Sequence, residues 1–331
     1  MKNRILSFDL LKLFTIYLVL IGHCIQYFLS SNHIDEPIYR IIYTFHMPLF
    51  MMISGYFSVS SMNIGVKSFI FKKTINLILP SISWSIIWYI FYSIIKSLEI
   101  HDTVDKFTNS LLYNFWFLKS CFLCYCITYI GIKTKLRDII WIPISIIISF
   151  MLPFQVNIMY PAFILGYLFR TNYSLNEFIN KKYYIFITIF IIMLSFIDKS
   201  YWLFLDIYEN CFIFIIKYIY RIIIGISGSL TFIFLFTRLS DFCKNKKIIH
   251  KIGNLGKYTL EIYILQSFIL ERILRDYLNF DYQNFFFFNF ITAPIISLII
   301  LLLSVYISKL IHKSKMLSFL FFGKIKLEIS K

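Results

Sequence analysis

The chain has 331 residues, of which 59% are hydrophobic and 20% aromatic, while charged residues make up 15% and the formal net charge is +16. An ordinary soluble domain is about 45–50% apolar, so a water-soluble globular protein is excluded and most of the chain is assigned to a bilayer. The positive charge does not gather on one soluble patch, as a nucleic-acid binder needs. It recurs in alternate short loops, the pattern of a membrane protein's cytoplasmic side.

Apolar stretches of spanning length fall at roughly 5–30, 39–60, 75–98, 112–132, 138–153, 157–170, 182–198, 213–237, 257–275 and 286–311. They predict an all-α polytopic transmembrane bundle of about ten helices, with the short fifth and sixth tilted, broken or re-entrant. The first run is too long for a signal peptide and lacks a small-residue cleavage site, so it is expected to remain as helix one. Lys2 and Arg4, Lys67, Lys72 and Lys73, Lys133, Lys135 and Arg137, Arg170, Lys181 and Lys182 would lie inside. So would Arg238, Lys244, Lys246, Lys247, Lys251 and Lys257, and then Lys309 and the C-terminal lysines up to Lys331. Arg40, Lys96, Lys106, Lys199, Lys217, Arg272 and Arg275 would flank the outer side, and this bias puts both termini in the cytoplasm. Residues 1–313 read as one transmembrane domain, and 314–331 as a cytoplasmic basic and aromatic tail, either on the inner headgroups or frayed.

Helix one carries three ionisable groups, Asp9, Lys12 and His23. At about 100° per residue Lys12 and His23 lie within about 20° of one direction, and Asp9 within about 40° of His23. A rise of about 1.5 Å per residue puts His23 about 16 Å beyond Lys12. Charge in a membrane helix faces the bundle interior and marks function by default. The alternative is an Asp9–Lys12 pair that joins helices, with His23 as a hydrogen-bonded core histidine.

Further along, helix two holds Phe45-His46-Met47-Pro48-Leu49-Phe50 and Ser54-Gly55, where His46 reads as packing or a local hydrogen bond. The entry to helix three is Phe71-Lys72-Lys73-Thr74-Ile75-Asn76 up to Pro80, and helix four opens on Trp116-Phe117-Leu118. Cys121, Cys124 and Cys126 lie in an apolar helix beside no histidine, and zinc needs four converging ligands, so no metal is expected. Lys119 and Arg221 fall near the outer ends of helices four and eight, where they either snorkel or border an acceptor. Trp116 either stacks on a sugar or anchors the interface. The ninth stretch is entered by Leu255-Gly256-Lys257-Tyr258-Thr259-Leu260-Glu261, a segment that continues to Gln266.

Taken together these segments resemble the acyltransferase 3 family of integral membrane acyltransferases. Arg4 to Lys12, followed after ten residues by His23, is similar to that family's first helix, which carries a basic residue, ten intervening residues and a histidine. The Pro48-Leu49-Phe50 and Ser54-Gly55 segment, the Phe71–Pro80 loop, Trp116-Phe117-Leu118 and Leu255–Gln266 resemble later family segments, so the likeness runs nearly end to end. Two positions depart from it: the family's paired arginines fall on Lys73 and Asn76, and a late histidine is Gln266. Lysine does not replace arginine in bidentate phosphate binding.

The resemblance implies acyl transfer, commonly of acetyl from acetyl-CoA, to a hydroxyl of a cell-envelope polysaccharide or lipid-linked sugar. Lys72, Lys73 and Asn76 would meet the donor's phosphates, unless the lysines are topology signals only. His23 would be the general base, since its ordinary pKa lies near neutrality. Lys12 would stabilise developing charge or orient the donor, paired with Asp9. Trp116, Lys119, Arg221 and Gln266 would contact the acceptor. The expected partners are the lipid bilayer, a carbohydrate acceptor and polysaccharide-biosynthesis proteins, with no nucleic acid, in the plasma (inner) membrane as a multi-pass protein. Two other functions fit the same residues: a saccharide transporter or flippase, and an acyltransferase with a cytosolic small-molecule acceptor.

Overall fold

The computed structural model describes residues 5–29, 33–96, 100–197, 211–275, 277, 278, 280 and 285–324. Lys2, Arg4, Lys199, Lys326 and Lys331, on which part of the charge argument rests, lie outside the described residues. Among the described residues the protein is helical, with one isolated bridge between Leu29 and Phe280.

Each predicted apolar stretch is helical along most of its length. The first two are α1, Leu6–Phe28, and α2, Pro37–Met62. The third is α3, Val66–Lys73, which passes through a π-helical turn at Thr74–Ile78 into α4, Leu79–Lys96. Next come α5, Ile100–Tyr113, α6, Trp116–Lys133, α7, Asp138–Ser149, and α8, Val156–Thr171. They are followed by α9, Tyr173–Lys181, α10, Tyr183–Ser195, α11, Cys211–Phe242, and α12, Lys247–Gly253. A 3-10 turn at Asn254–Tyr258 leads into α13, Thr259–Phe268, which continues as a π-helical turn, Ile269–Leu274. Last are α14, Phe285–Phe287, a π-helical turn at Phe288–Thr292, α15, Ala293–Ile311, and α16, Lys315–Phe322.

By length and composition four described helices can cross a membrane: Leu6–Phe28, Val66–Phe91, Phe212–Phe242 and Phe288–Ile311. The number rises to six if two bent pairs each count as one span, Phe107–Tyr113 with Trp116–Lys133 (51°) and Tyr173–Lys181 with Tyr183–Ser195 (66°). The difference from ten has a physical source. α7 has 12 residues, α10 has 13 and α8 has 16, all short of the ~20 that a bilayer core requires. α2 has 26 residues, but Arg40, His46, Pro48, Ser54 and Gly55 dilute its apolar character. The region around α13 is broken into 3-10, α and π segments. The apolar side chains left uncovered are large, including Ile139 at 80% and Met151 at 84% exposure, as in a multi-pass membrane protein whose solvent is lipid.

The chain divides into two compact units, residues 1–57 with 158–305, and residues 58–157 with 306–331. In the first, α1 packs against α11, α12, the 3-10 turn, α13 and the π-helical turn that follows it. Phe8, Leu11, Phe45, Leu49, Met52, Ile53, Ile224 and Ile233 are part of its buried core. A Cβ at Gly55 would strike the Phe163 carbonyl, and one at Gly166 the Met52 carbonyl, so α2 and α8 cross backbone against backbone. Lipid gives helices no hydrophobic reason to associate, and small residues of this kind supply the van der Waals contact instead. Gly256 meets the Asp9 carbonyl in the same way and brings the 3-10 turn onto α1.

In the second unit α4 packs on α5, where Ser85 and Ser110 each donate to the other's carbonyl at 3.2 Å. α16, in the segment read as a tail, is docked on α4, with Trp84 Nε1 donating to the Phe321 carbonyl at 3.0 Å. The Ser314 side chain accepts from the Leu317 N–H at one end of α16, and Gly323 closes the other at φ +65°. A Cβ there would meet the Ile75 carbonyl as well as a disfavoured backbone region. Gly323→Ala is therefore expected to destabilise the protein by about 1–3 kcal/mol, read as a lower Tm of the detergent-purified chain.

Candidate active site

α1 is one unbroken α-helix through Asp9, Lys12 and His23, so the predicted stripe exists as a line along the helix and not as a cluster. Lys12 Nζ stands 3.9 Å from Asp9 Oδ1 and 4.5 Å from the centre of the Phe57 ring. Phe57 belongs to an aromatic trio with Tyr56 and Phe8, whose ring centres are 4.5–5.2 Å apart. Arg170, on α8, donates from Nη1 to the Tyr56 hydroxyl at 3.0 Å and lies over the same ring. Two cations thus rest on neighbouring aromatic rings at this end of α1.

His23 lies at the other end, partly buried, with Nδ1 3.2 Å from Glu271 Oε1. Glu271 projects from the π-helical turn Ile269–Leu274, which packs on α1. π-turns of this kind recur at functional sites because they re-aim a side chain. Arg272 Nη2 stands 3.9 Å from Glu271 Oε2, so the carboxylate has cationic or basic neighbours on both oxygens. The imidazole also makes a T-shaped contact with Tyr27, at 5.7 Å between ring centres. His46 is buried, with Nδ1 2.7 Å from the Ile42 carbonyl, a local bond within α2.

His23 and Glu271 stand within ion-pair distance without the alignment of a hydrogen bond. A carboxylate that accepts from Nδ1–H fixes the orientation and tautomer of a histidine, and Nε2 is then the nitrogen that exchanges a proton with a substrate. Glu271 escaped the sequence reading. The signal was present, because an acidic residue inside the apolar stretch 257–275 is as costly as His23 and marks a site on the same grounds.

The remaining predicted residues are dispersed. Lys72 is exposed, whereas Lys73 is buried with Nζ 3.3 Å from the centre of the Tyr125 ring, so the two lysines do not share a face. Asn76 is half-buried in the π-helical turn Thr74–Ile78. Lys119 donates to the carbonyls of Leu111, Leu112 and Asn114 at 2.6–2.8 Å. Its ammonium thus satisfies the open carbonyl end of α5, just before the left-handed Phe115 (φ 53°) at which the chain turns into α6. The same side chain borders an otherwise apolar cleft of about 440 Å³ formed with Ile78, Leu111, Phe122, Pro153 and Phe154. Trp116 is half-buried at the start of α6, edge-on to Phe117. Arg221 is half-buried on α11. Gln266 is fully buried on α13, donating to the Tyr263 carbonyl at 3.2 Å while its Oε1 has no hydrogen-bond partner among the described residues.

Comparison with known proteins agrees with the sequence resemblance. The nodulation protein NolL of Mesorhizobium japonicum is 32% identical over 213 residues, covering 59% of this chain and 54% of that protein. The NolL of Sinorhizobium fredii is 29% identical over 188 residues, covering 51% of this chain and 49% of that protein. The chain thus spans about half the length of the curated relatives it matches. No solved structure matches it. The acyltransferase 3 family model, described as an acyltransferase domain, matches residues 5–311. With that match running from the start of α1 to the end of α15 and enclosing the His23–Glu271 pair, the chain belongs to the acyltransferase 3 family.

Proposed function

We propose that the protein is a membrane O-acyltransferase that moves acetyl from acetyl-CoA to a hydroxyl of a cell-envelope polysaccharide or lipid-linked sugar. The observation that carries this reading is the 3.2 Å approach of Glu271 to His23 Nδ1 inside a family-matched helical bundle. His23 Nε2 takes the proton as the sugar oxygen attacks the thioester carbon. The C–S bond then breaks and the proton passes to the departing thiolate. Glu271 holds the ring and offsets the charge it acquires. Lys12, about 16 Å away along α1, lies too far off to share this proton transfer. It sits instead with Arg170 at a cationic end suited to the donor's phosphates, which the extended pantetheine arm separates from the thioester. Lys72, exposed in the Phe71–Pro80 loop, is carried as a donor contact by that loop's family resemblance alone. With cytoplasmic termini and about ten membrane passes in the inner membrane, these lysines would face the cytosolic donor.

Incubating membranes that contain the full chain with labelled acetyl-CoA tests this directly. Label should enter membrane carbohydrate, and a failure to label any carbohydrate overturns the proposal. Lys72→Gln should raise KM for acetyl-CoA about three- to tenfold with little change in kcat, as expected for a contact made equally in ground and transition states. An unchanged KM would leave Lys72 as a topology signal alone.

A further inference from the structure

The pair that handles the proton is flanked by groups for which that step has no use. Tyr27, one turn along α1 from His23, makes a T-shaped contact with the imidazole at 5.7 Å between ring centres. The Arg275 guanidinium lies over the same Tyr27 ring, 5.5 Å from its centre. Arg272, at 3.9 Å, is the cation beside Glu271. Arg275 is exposed and has no acidic partner among the described residues. Of the two guanidiniums near the dyad, one is therefore offset by the carboxylate and the other is not.

A guanidinium resting on an aromatic face keeps its N–H groups for an incoming anion, and its planar fork matches carboxylate and phosphate oxygens. Snorkelling explains an arginine near the end of a membrane helix. It does not explain why that arginine and His23 share one ring. Two groups that both contact one tyrosine ring are close enough for one short saccharide to touch both, with a hydroxyl at His23 and a charged substituent at Arg275. We infer that the acceptor is an anionic carbohydrate, bearing a uronate carboxylate or a phosphate that Arg275 binds. This rests on the acyl-transfer reading above.

The test uses membranes of cells producing the full chain, with labelled acetyl-CoA as probe. Carbohydrate labelled by the wild type should be retained on an anion exchanger. Loss of retention after carboxyl reduction identifies a uronate, and loss after phosphate-ester or diphosphate cleavage identifies a phosphate. Arg275→Gln should raise the apparent KM for the acceptor about tenfold, the order expected for one charge-assisted contact. Arg275→Lys, which keeps the charge without the fork, should recover most of that loss, and this separates a charge effect from a folding defect. Labelled carbohydrate that is neutral, or an acceptor KM unmoved by Arg275→Gln, overturns the inference while leaving acyl transfer intact. Absence of any labelled carbohydrate overturns the acyl-transfer reading and this inference with it.

Discussion

Replacing His23 by alanine should lower acyl transfer by about two to four orders of magnitude, the usual loss when a general base is removed. The side chain is partly buried, and its one charged neighbour at contact distance among the described residues is Glu271. Membrane insertion should therefore change little, because α1 retains its long buried face of Leu11, Ile16, Val19, Leu20 and Ile25. The measurement is labelled acetyl transfer per molecule of protein, with the amount in the membrane fixed by immunoblot. A His23→Ala protein present at normal level and transferring at near the wild-type rate would return His23 to the role of a packing residue. A transporter or flippase working through the same stripe would keep moving saccharide without coenzyme A and without His23, so the variant also separates those activities.

Glu271→Gln should reduce kcat by about 10- to 1,000-fold with smaller changes in either KM. It retains the shape of the side chain and removes the charge that, in the proposed mechanism, would orient His23 and accompany its protonation. The stronger evidence comes from the double variant. If Glu271 acts only through His23, adding Glu271→Gln to His23→Ala should cost almost nothing further, because residues that work as a unit are not additive. Independent, multiplying effects would assign Glu271 a separate task, such as a contact with the acceptor. A leading alternative cause of lost activity is a misplaced Arg272, whose guanidinium stands 3.9 Å from Glu271 Oε2. Arg272→Gln, assayed alongside, distinguishes it.

The helices were legible because lipid demands long apolar runs, and each predicted run is helical in the structure. Length and composition do not by themselves set the number of crossings, because they do not tell a spanning helix from shorter pieces such as α7 and α10 or from a helix broken at a bend. The common direction of Asp9, Lys12 and His23 followed from regular helix geometry, and α1 is regular throughout. Glu271 could not be phased that way, since the π-helical turn interrupts the periodicity, and its partner is far away in sequence. Lys72 and Lys73 are adjacent in sequence, yet a helix turns them about 100° apart. One is exposed and the other lies on Tyr125. The role of Lys119 depends on the left-handed residue at Phe115, a reversal that phenylalanine does not advertise in sequence.

The π-helical turn at Ile269–Leu274 also bears on how relatives should be aligned. Such a turn holds an additional residue compared with an α-helical turn, and one residue more or less rotates everything beyond it by about 100°. A relative whose counterpart of α13 and this turn is one residue shorter can keep its carboxylate facing the histidine only if it also lacks the bulge or carries the acid one place away. An alignment that forbids gaps within helices will pair Glu271 with a neighbour of the true counterpart and score the position as variable. For this stretch, correspondence should be assigned by which side chain reaches the histidine of the first helix, with the gap placed inside the turn.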